Sequence, residues 1–192
     1  MTRQSALEAS LCVLVILIPW TLRADDHPYA RVRIGDYVTY TIRMKIADFN
    51  VDGEVTQTVT AKTDQEVTMR TTGQIRFMGN LQLLPPREQK IDLSKPFDPA
   101  KFNPQLPQES EVQVQKLQMG QEKILVGGKN YECTWTEYRI QAKSFGINVI
   151  SNVKVWVCKD VPMGMVKMVM NTTQQDQRME TIMELKESGN NR

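Results

Sequence analysis

A single histidine, His27, serves all 192 residues, and only three cysteines are present. Without a histidine in the body of the chain, the usual general base is missing and Ser-His or Cys-His nucleophilic arrangements are excluded. Carboxylates such as Asp92, Glu137, Asp160 and Glu180 are present, yet no spacing sets a pair aside for acid/base chemistry. The chain therefore reads as non-enzymatic, with no cofactor expected. Charge of one sign is also scarce. With 24 basic and 22 acidic residues the net charge is +2, which gives no electrostatic reason to expect DNA, RNA or an anionic membrane surface. Helical stripes are missing too.

Long apolar runs are absent apart from Leu11 to Ile18 (LCVLVILI). As a helix those residues span about 12 Å, against a hydrocarbon core of ~30 Å, so no transmembrane segment is predicted. Arg3 precedes the run, Ala24 follows it, and Asp25 and Asp26 come next. This is the pattern of a secretory signal peptide. Residues 1–24 are predicted to be the leader and residues 25–192 a single β domain, periplasmic or secreted. Export leaves Cys133 and Cys158 as the two mature cysteines, and an oxidising compartment makes a disulfide between them the expectation.

What the chain has in quantity is alternation. Val38, Tyr40, Ile42, Met44 and Ile46 alternate with Thr39, Thr41, Arg43 and Lys45, the signature of a strand with one dry face. Further runs cover 54–63, 66–72, 74–84, 111–119, 122–126, 131–143, 148–159, 165–171 and 178–186. Asp52-Gly53, Thr63-Asp64-Gln65, Gly127-Gly128 and Phe145-Gly146 supply turn signals between them. The fold class that follows is mainly β, with one antiparallel meander sheet. A two-residue turn at Phe145-Gly146 would set Cys133 opposite Cys158, Trp135 opposite Trp156 and Glu137 opposite Lys154. A thiol pair, an aromatic pair and an ion pair then share one register. The exception is the stretch 85–110, which holds six of the nine prolines. It reads as an ordered excursion crossing the sheet, because proline repeated this often excludes a central strand.

Three sets of residues invite a metal. Asp48, Asn50 and Asp52, followed by Gly53, place oxygens at alternate positions as a calcium loop does. The twelfth position is Val59 rather than Glu and the flanks read as strands, so a polar β-turn or a looser calcium turn remains. Cleavage after Ala24 would expose Asp25-Asp26-His27, whose amine, amides and imidazole could surround copper(II) or nickel(II). Met163, Met165, Met168 and Met170 offer thioethers, but their spacing divides them between two faces, as core filler would be.

The Trp-bearing strand Val153-Lys154-Val155-Trp156-Val157 and the Pro162–Lys167 segment, set in this strand rhythm from Ile34 to Leu185, resemble a bacterial group. It comprises the periplasmic half-barrel proteins similar to the lipoprotein-localisation factors, with their uncharacterised exported relatives. The resemblance implies a strongly curved, half-barrel-like sheet around an apolar concavity that holds acyl chains, with the proline-rich segment in place of a plugging helix. Val38, Tyr40, Ile42, Met44, Val59, Met69 and Phe77 are the expected lining, with Phe97 and Phe102 as cover. A lipid or other apolar ligand, or an envelope protein, is the expected partner.

Overall fold

The computed structural model describes residues 27–47, 49–95, 111–144, 147–174 and 177–191. All of its regular structure is strand. β1 (Asp36–Ile46), β2 (Phe49–Lys62), β3 (Glu66–Phe77) and β4 (Asn80–Asp92) are followed by β5 (Glu111–Val126), β6 (Lys129–Ser144), β7 (Ile147–Val157), β8 (Met165–Gln174) and β9 (Gln177–Asn190). They form one antiparallel sheet in the order β4-β3-β2-β1-β9-β8-β7-β6-β5. Every pair of sheet neighbours is consecutive in the chain except β1–β9, where two meanders meet, while β4 and β5, consecutive in the chain, form the two edges.

The β6–β7 register agrees with the one read from sequence. Trp135 opposes Trp156, Glu137 opposes Lys154, Tyr138 opposes Val153 and Ala142 opposes Val149. The Gly127-Gly128 turn also forms, with φ of 57° and 78°, the left-handed pair that a tight hairpin needs. A second turn of this kind, Met78-Gly79, has φ of 50° and 80°. It divides the single run expected over 74–84, and methionine at a positive φ leaves no sequence signal there.

Two expected breaks lie inside strands instead. Gly53 opposes Ile75 and Gly73 opposes Val55. A Cβ on Gly53 would stand 2.6 Å from the Gln74 carbonyl oxygen, and one on Gly73 2.5 Å from that of Glu54. The backbones approach too closely for a side chain, so glycine continues the strand here rather than ending it. The β1–β2 connection falls earlier than Asp52-Gly53, beginning at Ala47 with φ 50°. Gly120 likewise sits within β5, where a Cβ would come 2.9 Å from the Trp135 ring.

The proline-rich stretch needs a larger correction. Its first third, Pro85 to Asp92, belongs to β4. Thr71 pairs with Arg87 and Gly73 with Leu84, so Pro85 and Pro86 fall at a bulge on an edge strand. At an edge bulge no ladder bond is lost for want of their N–H. Leu93 to Lys95 follow as a turn, and 96–110, with Phe97 and Phe102, lies outside the described residues.

The core gathers where β1, β3, β6 and β8 begin and the other strands end. Val38, Tyr40, Val59, Val67, Met69, Ile91 and Leu185 pack there with Tyr29 and Val32 from the preceding segment and Val161 and Met163 from the β7–β8 connection. Lys62 Nζ ties that segment down, donating to the Ala30 and Val32 carbonyls at 2.6 and 2.7 Å. A Cβ at Gly127 would lie 3.7 Å from the Leu185 carbonyl oxygen. β5 and β9 are four places apart in the sheet, about 19 Å if it were flat, yet the β5–β6 turn comes beside the β9 backbone at this end.

Candidate functional site

Directly opposed residues on neighbouring strands share a face, and successive residues alternate. The observed registers put Val38, Tyr40, Ile42 and Met44 on the face that carries Val59 and Met69, and Val51 carries it on to Phe77. All seven expected lining residues among those described thus lie on one face. They do not share one environment. Val38, Tyr40, Val59 and Met69 are between 0% and 1% exposed, sealed into the end core, while Ile42, Met44 and Phe77 are half-buried further along. The first four are core; only the last three remain available to a ligand.

Followed across the sheet, this face continues through Met179, Thr181 and Met183 of β9, Met168 and Met170 of β8, and Ser151, Val153 and Val155 of β7. Tyr138, Ile140 and Ala142 extend it on β6. From β3 to β6, seven adjacent strands, this face holds no Asp, Glu, Lys or Arg between the core and the far ends of the strands. The first ionised groups on it stand on the edge strands: Arg87, opposite Thr71, and Lys116, opposite Tyr138. Ile140, Val153, Val155 and Met170 form a second buried cluster here. The two hydroxyls within it are mutually satisfied, Ser151 Oγ and Thr172 Oγ1 lying 2.9 Å apart.

Met168 and Met170 belong to this face, as their two-residue spacing requires. Met165 packs against both clusters because a bulge between Trp156 and Val157 shifts the β7–β8 register beside it. Met163 is in the connection, not a strand, and is buried.

The opposite face is charged. Glu184 accepts from Lys167 at 2.8 Å and from Arg43 at 2.7 Å; these bonds, with Lys167 foremost, hold its carboxyl below the usual range. Lys186 reaches Glu54 at 2.7 Å. Lys154 lies 4.1 Å from the Trp135 ring centroid and 4.9 Å from that of Trp156, and Trp156 Nε1 donates to Glu122 at 2.9 Å.

Among the described residues no group of three His, Cys, Asp or Glu side chains is placed to hold a metal ion. Asn50 and Asp52 are extended residues of β2, exposed and paired in register with Lys45 and Arg43; no curled loop gathers their oxygens. Asp48, Asp25 and Asp26 lie outside the described residues. His27 is buried, its ring 5.7 Å from Tyr29, and its Nδ1 accepts from the Tyr29 amide at 3.3 Å. Burial lowers its pKa, partly offset by Asp92. Cys133 and Cys158 are both buried and both thiols in this structure. Burial first, then Cys158 and Glu122, pushes Cys133 up to about 11. Among the described residues no helix is long and apolar enough to cross a membrane.

No protein-family profile matches the chain, and no curated protein does. Two solved structures are similar to it. One is a Bacteroides fragilis protein described as exported and as having a YmcC-like fold, 9% identical, with TM-score 0.48 over 82% of this chain and 96% of that one. The other is a Parabacteroides distasonis protein described as a lipoprotein, 12% identical, with TM-score 0.41 over 79% of this chain and 95% of that one. Neither is described as a lipoprotein-localisation factor.

Proposed function

We propose that the protein is an exported, non-enzymatic binder of a hydrocarbon-chain ligand, held on the uncharged face of a half-barrel-like sheet. The observation that carries this reading is the stretch of this face, seven strands wide between the core and the far strand ends, that holds no charged side chain. A stretch meant only for water would not exclude charged side chains over that width, and burying one beside hydrocarbon would be costly. The face is roughly 29 Å wide at ~4.8 Å per strand, ample for an acyl chain that fills about half of a ~30 Å bilayer core. Each methylene removed from water contributes about 0.8 kcal/mol. The ligand's polar end belongs at an edge, beside Arg87 or Lys116. The leader-like residues 1–24 support delivery to the periplasm or outside.

Fluorescent fatty acid and lysophospholipid titrations test this. Wild type should bind with saturation, and Met44→Asp, at a half-buried position beyond the core, should weaken binding at least tenfold while its circular dichroism is unchanged. Absence of binding by wild type, or equal affinity in the variant, would overturn the reading. A second reading, an interaction module of the envelope, draws on β5, an edge strand on which Leu117, Met119 and Leu125 are 46%, 59% and 66% exposed. Crosslinking through β5 to a single envelope protein would favour it.

A further inference from the structure

We propose that Cys133 and Cys158 close a disulfide staple across β6 and β7 when the chain folds in an oxidising compartment. The last paired residues of these strands are Trp135 with Trp156 and Thr134 with Val157; one step further sets Cys133 against Cys158. The backbone around Cys158 decides what kind of pair this is. Its N–H donates to the Gly164 carbonyl at 2.8 Å, and its own carbonyl accepts from Val161 at 3.4 Å. Cys158 directly follows β7, and with its N–H and carbonyl both bonded within the β7–β8 connection neither pairs with β6. Cys133 and Cys158 therefore occupy a non-hydrogen-bonded position, where opposed Cα atoms lie about 4.5 Å apart and side chains come closest. That falls inside the span a disulfide tolerates. Both thiols are also 3% exposed and lie in one cluster, so neither is open to outside partners once the core has formed.

The chemistry is two exchanges with a small disulfide oxidant. One cysteine thiolate attacks the oxidant's sulfur–sulfur bond and expels one thiol. The other then attacks the mixed disulfide, releasing the second thiol and forming the Cys133–Cys158 bond. The protein loses two hydrogens and two thiols appear. Since the thiolate is the nucleophile, the raised pKa of buried Cys133 makes the reaction slow in the folded thiol form and fast before burial.

The full chain, refolded from chaotrope in mixed reduced and oxidised glutathione, then capped with N-ethylmaleimide and digested with trypsin without reductant, tests the proposal. The peptide 130–139 should be recovered linked to 155–159, and reductant should abolish the link. Recovery of both peptides capped, or of either linked to Cys12, would overturn it. Reduction should also lower the melting temperature of the stapled chain by several degrees and leave the Cys133→Ala/Cys158→Ala chain unmoved. Equal melting of the reduced and oxidised wild type would likewise overturn it; if the double variant does not fold, the peptide map decides alone.

Discussion

Tyr40 Oη donates to the Met165 carbonyl at 3.2 Å from a side chain that is 1% exposed. The bond spans β1 to β8 over the intervening β9, and burial holds the phenol well above its usual pKa. Tyr40→Phe keeps the ring and removes this hydrogen bond, and is expected to cost about 1 kcal/mol, seen as a fall of ~2–4 °C in melting temperature. His27 makes a pH prediction. Its folded pKa lies below the unfolded value, so the unfolded chain binds the extra proton first, and stability drops as pH falls below about 6.5. His27→Gln should flatten that part of a pH–stability curve measured with urea. Glu184 acts in the same direction lower down: its depressed pKa contributes stability above the carboxylate range that is lost as pH falls through it. The sequence marks His27 only as the lone histidine beside the leader. Its burial depends on Tyr29 and the end core, contacts that no local pattern encodes.

At the scale of strands, legibility followed cross-strand chemistry. The β6–β7 hairpin could be read to the residue because Trp135–Trp156 and Glu137–Lys154 constrain one register together. The structure adds that Lys154 stands over both indoles and 3.8 Å from Glu137. Lys154→Ala should therefore cost about 1 kcal/mol and shift tryptophan emission, while leaving strand content by circular dichroism intact. Where the determinant was backbone proximity, sequence was silent. Gly53 and Gly73 look like turn residues until their neighbours are placed, and Pro85-Pro86 looks like a break until it proves to sit at an edge bulge. Gly53→Val pushes a side chain into the Gln74 carbonyl and should destabilise by roughly 1–3 kcal/mol in denaturant titration, with the damage confined to β2–β3. The candidate face was legible by strand alternation alone. Which of its residues are sealed was not, since Val38, Val59 and Met69 are closed off by Tyr29, Val32 and the β7–β8 connection.

Across the whole molecule, β9 bonds to β1 on one side and β8 on the other. Removing residues from Gln177 onward should leave two unconnected part-sheets, and the cooperative unfolding transition seen by circular dichroism should disappear. The same seam has a consequence for biogenesis. All other pairings can form as each hairpin emerges, but β1 must wait until some 140 residues later for its second neighbour. Throughout that interval the first half offers a naked backbone margin beside a greasy surface, a combination that invites premature association. A nascent chain built this way depends on escort until its final strand arrives.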